Sequence, residues 1–444
     1  MESGWAKRRK PSLRESMGAA GKVPRLERNK PVVIIGGGVI GVCCAYALAR
    51  AGVPVVLLER GEICSGCSYG NAGLLAASHS IPLAAPGVVA KALRWMFDPE
   101  SAFALPLRAD VQLLRWLWRF YWASRPSNLL PATRALTQLT LGSARLHAEF
   151  AAAHGAEYGY MQKGSLELFA TAEGLAEAQS SVQLLRRVGL QVEVLGPQET
   201  KALEPEAAPG IAGGVFFRQD GHIVPAKFVR AVAAAAARAG AVLRENSEVL
   251  EVRTSAGHIG GVRTSEGFHE AAAVILAAGA ASPLLAQALG IDLPVQPGRG
   301  YSFTMQRADN WPERTLMFGE AKGLLTPMGE MLRLAGTLEL VPLGVPANPR
   351  RTRAIARKLG AYLTRPVSIE GVEPWSGDRP CSPDGLPIIG WSERYANLLY
   401  ATGHAMLGMT LGPITGQIAA QLIRKEPPDM DITRLRPGRF GAAL

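Results

Sequence analysis

The sequence predicts an α/β protein: a nucleotide-binding domain around a parallel sheet, joined to an α+β domain with an antiparallel sheet. Three observations carry this. A strand–glycine turn–helix–strand unit begins just after residue 30. Pieces of the same α/β character return in the middle of the chain and at its C-terminal end. Helical and alternating-strand segments fill the intervals between them.

The bulk numbers agree with a folded protein of two domains. The 444 residues exceed what one compact core usually holds, and 48% are apolar against 19% charged. The net charge of +11 is uneven. Residues 1–30 hold nine Lys or Arg against three Glu, so +6 of it sits in this segment. That composition reads as a basic, disordered tail, with contact to anionic lipid as the alternative. The rest is only mildly basic, with no basic stripe of the kind nucleic acid requires, so no nucleic-acid partner is expected. The tail has no apolar core of a secretory signal. Five cysteines, an odd number, make no disulfide framework and point to a reducing compartment. Cys64 and Cys67 have CxxC spacing without a second ligand pair, so no metal site is expected.

The elements follow in order. "PVVIIG" is a β-branched apolar strand, "GGGVIG" a turn, "VCCAYALARAG" a helix ending at Gly52, and "VPVVLLER" a second buried strand. The stretch Val32–Ala49 has no charge, and its length alone would also suit a membrane span; so would Ala401–Ile423. A Ser/Gly/Pro-rich loop runs from Gly61 to Gly87. "RADVQLLRWLWRFYWASR" is a helix with Arg108, Gln112, Arg115 and Arg119 on one stripe among Leu and Trp. It is expected to pack nearly all round inside the domain, with a membrane-interface helix as the alternative. Residues 164–170 and 213–221 alternate as strands, and 225–240 is a strong helix. Residues 247–280 form an antiparallel meander, turning at Ala256-Gly257 and Glu266-Gly267 and ending in the buried strand "AVILAAG". A second β-rich region spans 299–340 with a hairpin near Gly329, then an amphipathic basic helix over 350–363. "LPIIG", "NLLYATG" and the helix "PITGQIAAQLIRK" close the chain.

Gly36-x-Gly38-x-x-Gly41 lies between strand and helix, where such glycines permit a tight turn, close approach to a pyrophosphate and tight helix–strand packing. The helix N-terminus then offers free N–H groups to phosphate. Glu59 ends the second strand, about twenty residues on, where a ribose hydroxyl needs an acceptor. A membrane span would not place an acid there. A second glycine unit, as often found where NAD hands electrons to flavin, is absent. One unit within a discontinuous domain favours a tightly held flavin: a discontinuous Rossmann-like FAD-binding domain over 31–93, 220–283 and 375–444, and an α+β substrate domain over 94–219 and 284–374.

Together with the first unit, "CSYGNAG", "AVILAAGA", "RPCSPDGLPIIG" and "YATGHAMLGMTLGPITGQ" resemble the D-amino acid oxidase and glycine oxidase superfamily of FAD enzymes. The likeness is strongest to bacterial dye-linked D-amino acid dehydrogenases, through "AAPGVVAKALRWMFDPESAF" and the Trp-rich helix. The resemblance implies that Gly36, Gly38 and Gly41 hold the FAD pyrophosphate and Glu59 the adenosine ribose, with Arg60 near the adenine. Ser68, Asn71, Ala72, Gly73 and Leu74 would line pyrophosphate and flavin. Val249 would meet adenine through its backbone, and Ala278 and Gly279 would abut the cofactor. Gly403, Gly408, Met409 and Thr410 would set backbone N–H groups at the pyrimidine end of the flavin, where a helix N-terminus favours the negative charge of the reduced ring. Pro413 would sit near that helix's start.

Arg379 is the expected substrate anchor, because a carboxylate needs a planar, permanently charged, bidentate partner. Asp378, where the family usually has an apolar residue, would pair with Arg379 or weaken its field. Tyr301 could donate its hydroxyl to substrate, and His404 and His79 lie near enough in the motif order to touch it. The expected activity is oxidative deamination of D-amino acids to 2-oxo acids and ammonia, the hydrogen passing as hydride to FAD and the electrons to a quinone or dye. No catalytic side chain is certain, since the flavin does the chemistry. D-proline or hydroxy-D-proline dehydrogenation and oxygen-using oxidation are close alternatives; a membrane-associated electron-transfer subunit is one of another class. The expected location is cytoplasmic, with peripheral contact to the inner membrane face.

Overall fold

The computed structural model describes residues 29–90, 103–105, 110–308 and 311–441. Most of the basic tail, the segment 91–102 and Arg108 therefore lie outside the described residues. The first elements are β1 (Val32–Ile35), α1 (Val39–Arg50), β2 (Val55–Leu58), β3 (Leu74–Leu75), β4 (Phe103–Ala104), α2 (Val111–Ala123), α3 (Pro126–His154) and β5 (Ser165–Phe169). Then come α4 (Ala172–Arg187), β6 (Val192–Leu195), α5 (Pro197–Leu203), β7 (Gly213–Phe217), β8 (Gly221–His222), α6 (Pro225–Arg238), β9 (Val242–Arg244), β10 (Val249–Ser255), β11 (His258–Thr264), β12 (Gly267–Glu270) and β13 (Ala273–Leu276). The remainder is α7 (Ser282–Ala288), β14 (Gln296–Gln306), β15 (Thr315–Phe318), β16 (Gly323–Met328), β17 (Met331–Leu340), α8 (Pro349–Arg357), β18 (Trp375–Cys381), β19 (Ile388–Trp391), β20 (Leu398–Thr402) and α9 (Gly408–Ile423).

One sheet has the order β19-β20-β13-β1-β2-β9. All its pairings are parallel except β19 with β20. The uncharged run Val32–Ala49 is thus the central strand and its following helix. Both faces of β1 are covered, which is why all four of its residues are apolar and buried. Val32 and Ile34 pack with α1, α3, α6 and α9, while Val33 and Ile35 pack with the β10–β12 meander and α7. The meander turns at Ala256 and Gly257, both with positive φ, as a two-residue hairpin requires. Among the described residues no helix is long and apolar enough to cross a membrane.

A second sheet of nine strands runs β18-β14-β17-β16-β15-β5-β7-β6, with β4 on β17. It is antiparallel apart from β15 with β5 and β4 with β17. Its core joins Leu166, Leu168, Phe303, Leu316, Phe318 and Leu334 to Ile355 and Leu359 beneath α8. The β16–β17 hairpin turns at Gly329, with φ +72.

Three expectations need correction. The Trp-rich helix is not packed all round: Leu113 and Trp116 are buried, but Val111, Leu114, Trp118 and Tyr121 are all more than half exposed. From the polar stripe, the exposed Arg115 and the half-buried Arg119 reach Asp292 at 3.7 and 3.9 Å. The basic helix ends at Arg357, and a 3-10 turn, Lys358–Ala361, follows it. The last helix starts at Gly408, so Pro413 lies inside it. Proline has no N–H to give the carbonyl four residues earlier. That carbonyl, of Met409, accepts from His147 Nε2 on α3 at 3.1 Å instead.

Candidate cofactor and substrate site

The residues expected to hold FAD gather at the C-terminal ends of β1, β2, β13 and β20, the edge where parallel α/β sheets bind ligands. At the β1–α1 turn Gly36 has φ +113, and a Cβ there would lie 2.6 Å from the Ala277 carbonyl oxygen. A Cβ on Gly41 would overlap the Gly36 carbonyl. Both positions therefore exclude any side chain, and the loop lies flat against the sheet edge. Glu59 does more than face outward. Its Oε2 accepts from Gly37 N at 2.7 Å and its Oε1 from Gly61 N at 3.0 Å, so one carboxylate ties the glycine loop to the end of β2. Arg60 beside it is exposed. Gly38 caps α1 without a side chain, and Ser68 Oγ accepts Val39 N at 3.0 Å from a distant loop.

The loop after β2 is held on all sides. Asn71 Oδ1 accepts from Gly73 N at 2.8 Å. Gly73, φ +76, approaches the Ile223 carbonyl too closely for a Cβ. Thr410 Oγ1 accepts from Ala76 N at 3.0 Å and donates to Leu74 O at 3.3 Å, joining this loop to the first turn of α9. Arg333, buried on β17, donates to the carbonyls of Tyr69 at 2.9 Å and Asn71 at 2.8 Å, and to Thr304 Oγ1 at 2.9 Å. Sequence reasoning passed over Arg333. The signal was an arginine inside the apolar strand "MLRLAG", which must find acceptors when buried.

On the other side, Ala278 and Gly279 follow β13, and Thr402 Oγ1 donates to Gly279 O at 3.2 Å. Gly403 has φ +76 after β20, and Val249 is half-buried at the start of β10. Met409 and Thr410 are buried. Helices α1 and α9 both lack a side-chain N-cap and an acid in the first turn. Two positive helix ends thus face one crevice lined by backbone, which fits a dinucleotide with a pyrophosphate and an anionic reduced ring.

A cavity beside this crevice brings Arg379, Tyr301 and His79 together with Asn71, Ala72, Leu74 and Thr410; Trp375, Leu324, Ala335 and Met406 supply apolar walls. His404 does not line it. Its Nε2 pairs with Thr415 Oγ1 at 2.9 Å, and burial pushes it down to about 3. Burial and Lys322 hold His79 down to about 4, so it is neutral. The Tyr301 hydroxyl donates to Glu339 at 3.1 Å and accepts from Asn348 N at 3.1 Å. Asp378 faces away from Arg379 and takes Arg299 in a two-bonded pair at 2.9 and 2.8 Å. Its charge is thereby balanced on the opposite face of β18, and Arg379 keeps its own. Arg379 Nη1 donates to the Thr337 carbonyl at 2.7 Å. Burial pushes the Cys64 and Cys67 thiols up to about 11, away from the reactive thiolate.

Fold and crevice define a flavin-dependent oxidoreductase. The chain belongs to the family of FAD dependent oxidoreductases (DAO), whose model matches residues 31–422. It is 31% identical over 417 residues to the D-amino acid dehydrogenase of Cereibacter sphaeroides, covering 93% of this chain and 95% of that protein. Among solved structures it is similar to glycine oxidase from Geobacillus kaustophilus, with 25% identity, a TM-score of 0.73, and 92% and 98% of the two chains covered. L-proline dehydrogenase from P. horikoshii shares the fold at 19% identity and a TM-score of 0.74, over 94% and 98% of the chains. The expected class, an FAD enzyme of mixed α/β fold, is the one the chain falls in.

Proposed function

We propose that this enzyme oxidises D-α-amino acids to the imino acids, which water converts to 2-oxo acids and ammonia. The observation that carries the reading is the Arg379 cation in a cavity that it shares with Asn71, His79, Tyr301, Thr410 and several apolar side chains, against the loop and helix end that fit a flavin. Its guanidinium takes the substrate carboxylate, and Leu324, Ala335, Trp375 and Met406 receive an apolar side chain. Bound FAD supplies the two-electron acceptor for the α-hydrogen. The chain supplies orientation. His79, neutral and a weak base at about 4, is not suited to remove an α-proton, which favours loss of the hydrogen as hydride from the neutral amine. The 31% identity to a D-amino acid dehydrogenase supports the same substrate class.

Gly36, Gly38, Gly41, Glu59, Ser68, Asn71–Leu74, Ala278, Gly279, Gly403 and Gly408–Thr410 form the FAD contact in this reading. The electrons pass to a quinone or artificial dye. The exposed Trp118, Tyr121 and Trp122 of α2 make the peripheral contact with a membrane, since such aromatic rings favour the headgroup layer. Sedimentation with anionic vesicles checks this: replacing Trp118 and Tyr121 by serine abolishes co-sedimentation, and retention without them refutes the contact.

Anaerobic titration of the yellow protein tests the main reading. D-alanine, D-phenylalanine and cis-4-hydroxy-D-proline are compared with their L counterparts, and the reduced protein is then offered air or dye. Bleaching by a D-amino acid and faster return with dye are expected. A flavin that no D-amino acid bleaches ends the proposal.

A further inference from the structure

Arginine alone does not make a carboxylate site; the guanidinium must be aimed. Arg379 lies on β18 beside Gly300 of β14, where a Cβ would overlap its Nη2, Cζ and Nη1 at nearly one distance from each. The guanidinium plane therefore lies flat on the Gly300 backbone. Its edge is held as well, because Nη1 donates to the Thr337 carbonyl at 2.7 Å. That carbonyl is delivered by an irregularity in the sheet. The β14–β17 register pairs Arg299 with Glu339 but Tyr301 with Gly336, so Thr337 and Leu338 both stand against Gly300. Such a bulge re-aims the groups around it. Thr337 has φ +61, a left-handed conformation that β-branched residues seldom adopt. Its hydroxyl is buried without a partner, so its own side chain gives no compensating bond.

We propose that Gly300 and Thr337 are positioning residues for substrate carboxylate: the glycine seats the face of Arg379, and the bulged carbonyl takes one nitrogen. Nη2 and Nε are left for the ligand. The inference rests on the proposed carboxylate role of Arg379.

The test measures binding of benzoate, a bare carboxylate, through the flavin spectrum of the FAD-loaded enzyme, beside KM and kcat for a D-amino acid substrate. Gly300→Ala weakens benzoate tenfold or more and raises KM to match, while kcat at saturation stays within twofold. In an Arg379→Lys background the same change alters benzoate affinity by less than twofold, because an ammonium presents no plane to displace; a merely structural role for Gly300 would show in both backgrounds. Thr337→Gly, which accepts the same backbone, leaves benzoate affinity within twofold and does not lower the melting temperature. Gly300→Ala protein that loads FAD and binds benzoate like wild type overturns the proposal, as does a fivefold loss in Thr337→Gly. Arg379→Ala separates the two levels. Unchanged benzoate binding there would sink the carboxylate role itself, whereas loss there with none in Gly300→Ala sinks only the positioning.

Discussion

Glu59 fixes a loop from the end of the neighbouring strand. Its two oxygens hold the amides of Gly37 and Gly61, which sets the glycine loop against β2 before any cofactor arrives. A glutamine at this position keeps one acceptor but turns an N–H₂ toward the other amide. Leaving a backbone donor unpaired costs about 1–3 kcal/mol. Glu59→Gln is therefore expected to weaken FAD binding about ten- to a hundredfold, read by fluorescence titration of the apoprotein. Unchanged affinity would show that the loop is held by other contacts. This carboxylate was legible from the sequence because its signal is local: a strand, a fixed interval and a terminal acid. Arg333 and the Arg299–Asp378 pair were not. Asp378 lies 79 residues from Arg299, and the carbonyls that Arg333 holds lie 264 and 262 residues from it, so no spacing reveals them. The pairing of Asp378 with Arg299 reverses the expectation that it would weaken Arg379.

Elements show the same division. The first helix of the parallel sheet could be read, since a glycine turn and an apolar run mark it, whereas the start of the last one lies a turn before Pro413, the residue read as its opening. Which face of α2 meets the body could not be read. Periodicity separates a polar stripe from an apolar one, but of the apolar side only Leu113 and Trp116 are buried, while Val111, Leu114, Trp118 and Tyr121 stand exposed. Helix α9 carries a second long-range dependence. The carbonyl of Met409, freed by Pro413, meets His147 on α3, and Ser143 Oγ accepts Ile414 N at 3.4 Å on the same face. Nε2 must carry the proton, since a carbonyl can only accept, and burial keeps the ring neutral by pushing it down to about 4. His147→Leu strands that carbonyl and is expected to cost about 1–3 kcal/mol. His147→Gln, which can donate, should recover part of it. Thermal unfolding of FAD-loaded protein compares them; equal melting temperatures for the two variants would contradict this account.

For the whole molecule, buried histidines decide the response to acid. Burial is the leading cause in each: His79, His147 and His222 are held down to about 4 and His404 to about 3. In the unfolded chain they titrate near about 6.5. The unfolded state binds more protons between those values, so the stability they contribute is full above about pH 6.5 and is lost as pH falls toward the folded values. Asp220 acts oppositely. Burial raises it to about 6 despite hydrogen bonds from Ser165 and Ser78, so its contribution is full below about pH 4 and lost as pH rises through 6. Burial also raises the Glu167, Glu204 and Glu339 carboxyls, which act with Asp220, but the four histidines titrate across the whole interval from about pH 6.5 downward and set the sign. The melting temperature should fall by several degrees from pH 7.5 to pH 5, and Asp220→Asn should steepen that fall. A melting temperature that rises on acidification would refute the balance.

The interleaving of the parallel sheet has a consequence in time. Strand β1 is flanked by β2 from its own neighbourhood and by β13, which lies about 240 residues further along the chain. At roughly 5–20 residues per second, a ribosome exposes one apolar edge of β1 for on the order of 10–50 seconds before its partner exists. The nucleotide crevice closes later still, when β20 and α9 have emerged. In nascent chains of this enzyme the apolar edges of the parallel sheet therefore stand unpaired until β20 and α9 have been made.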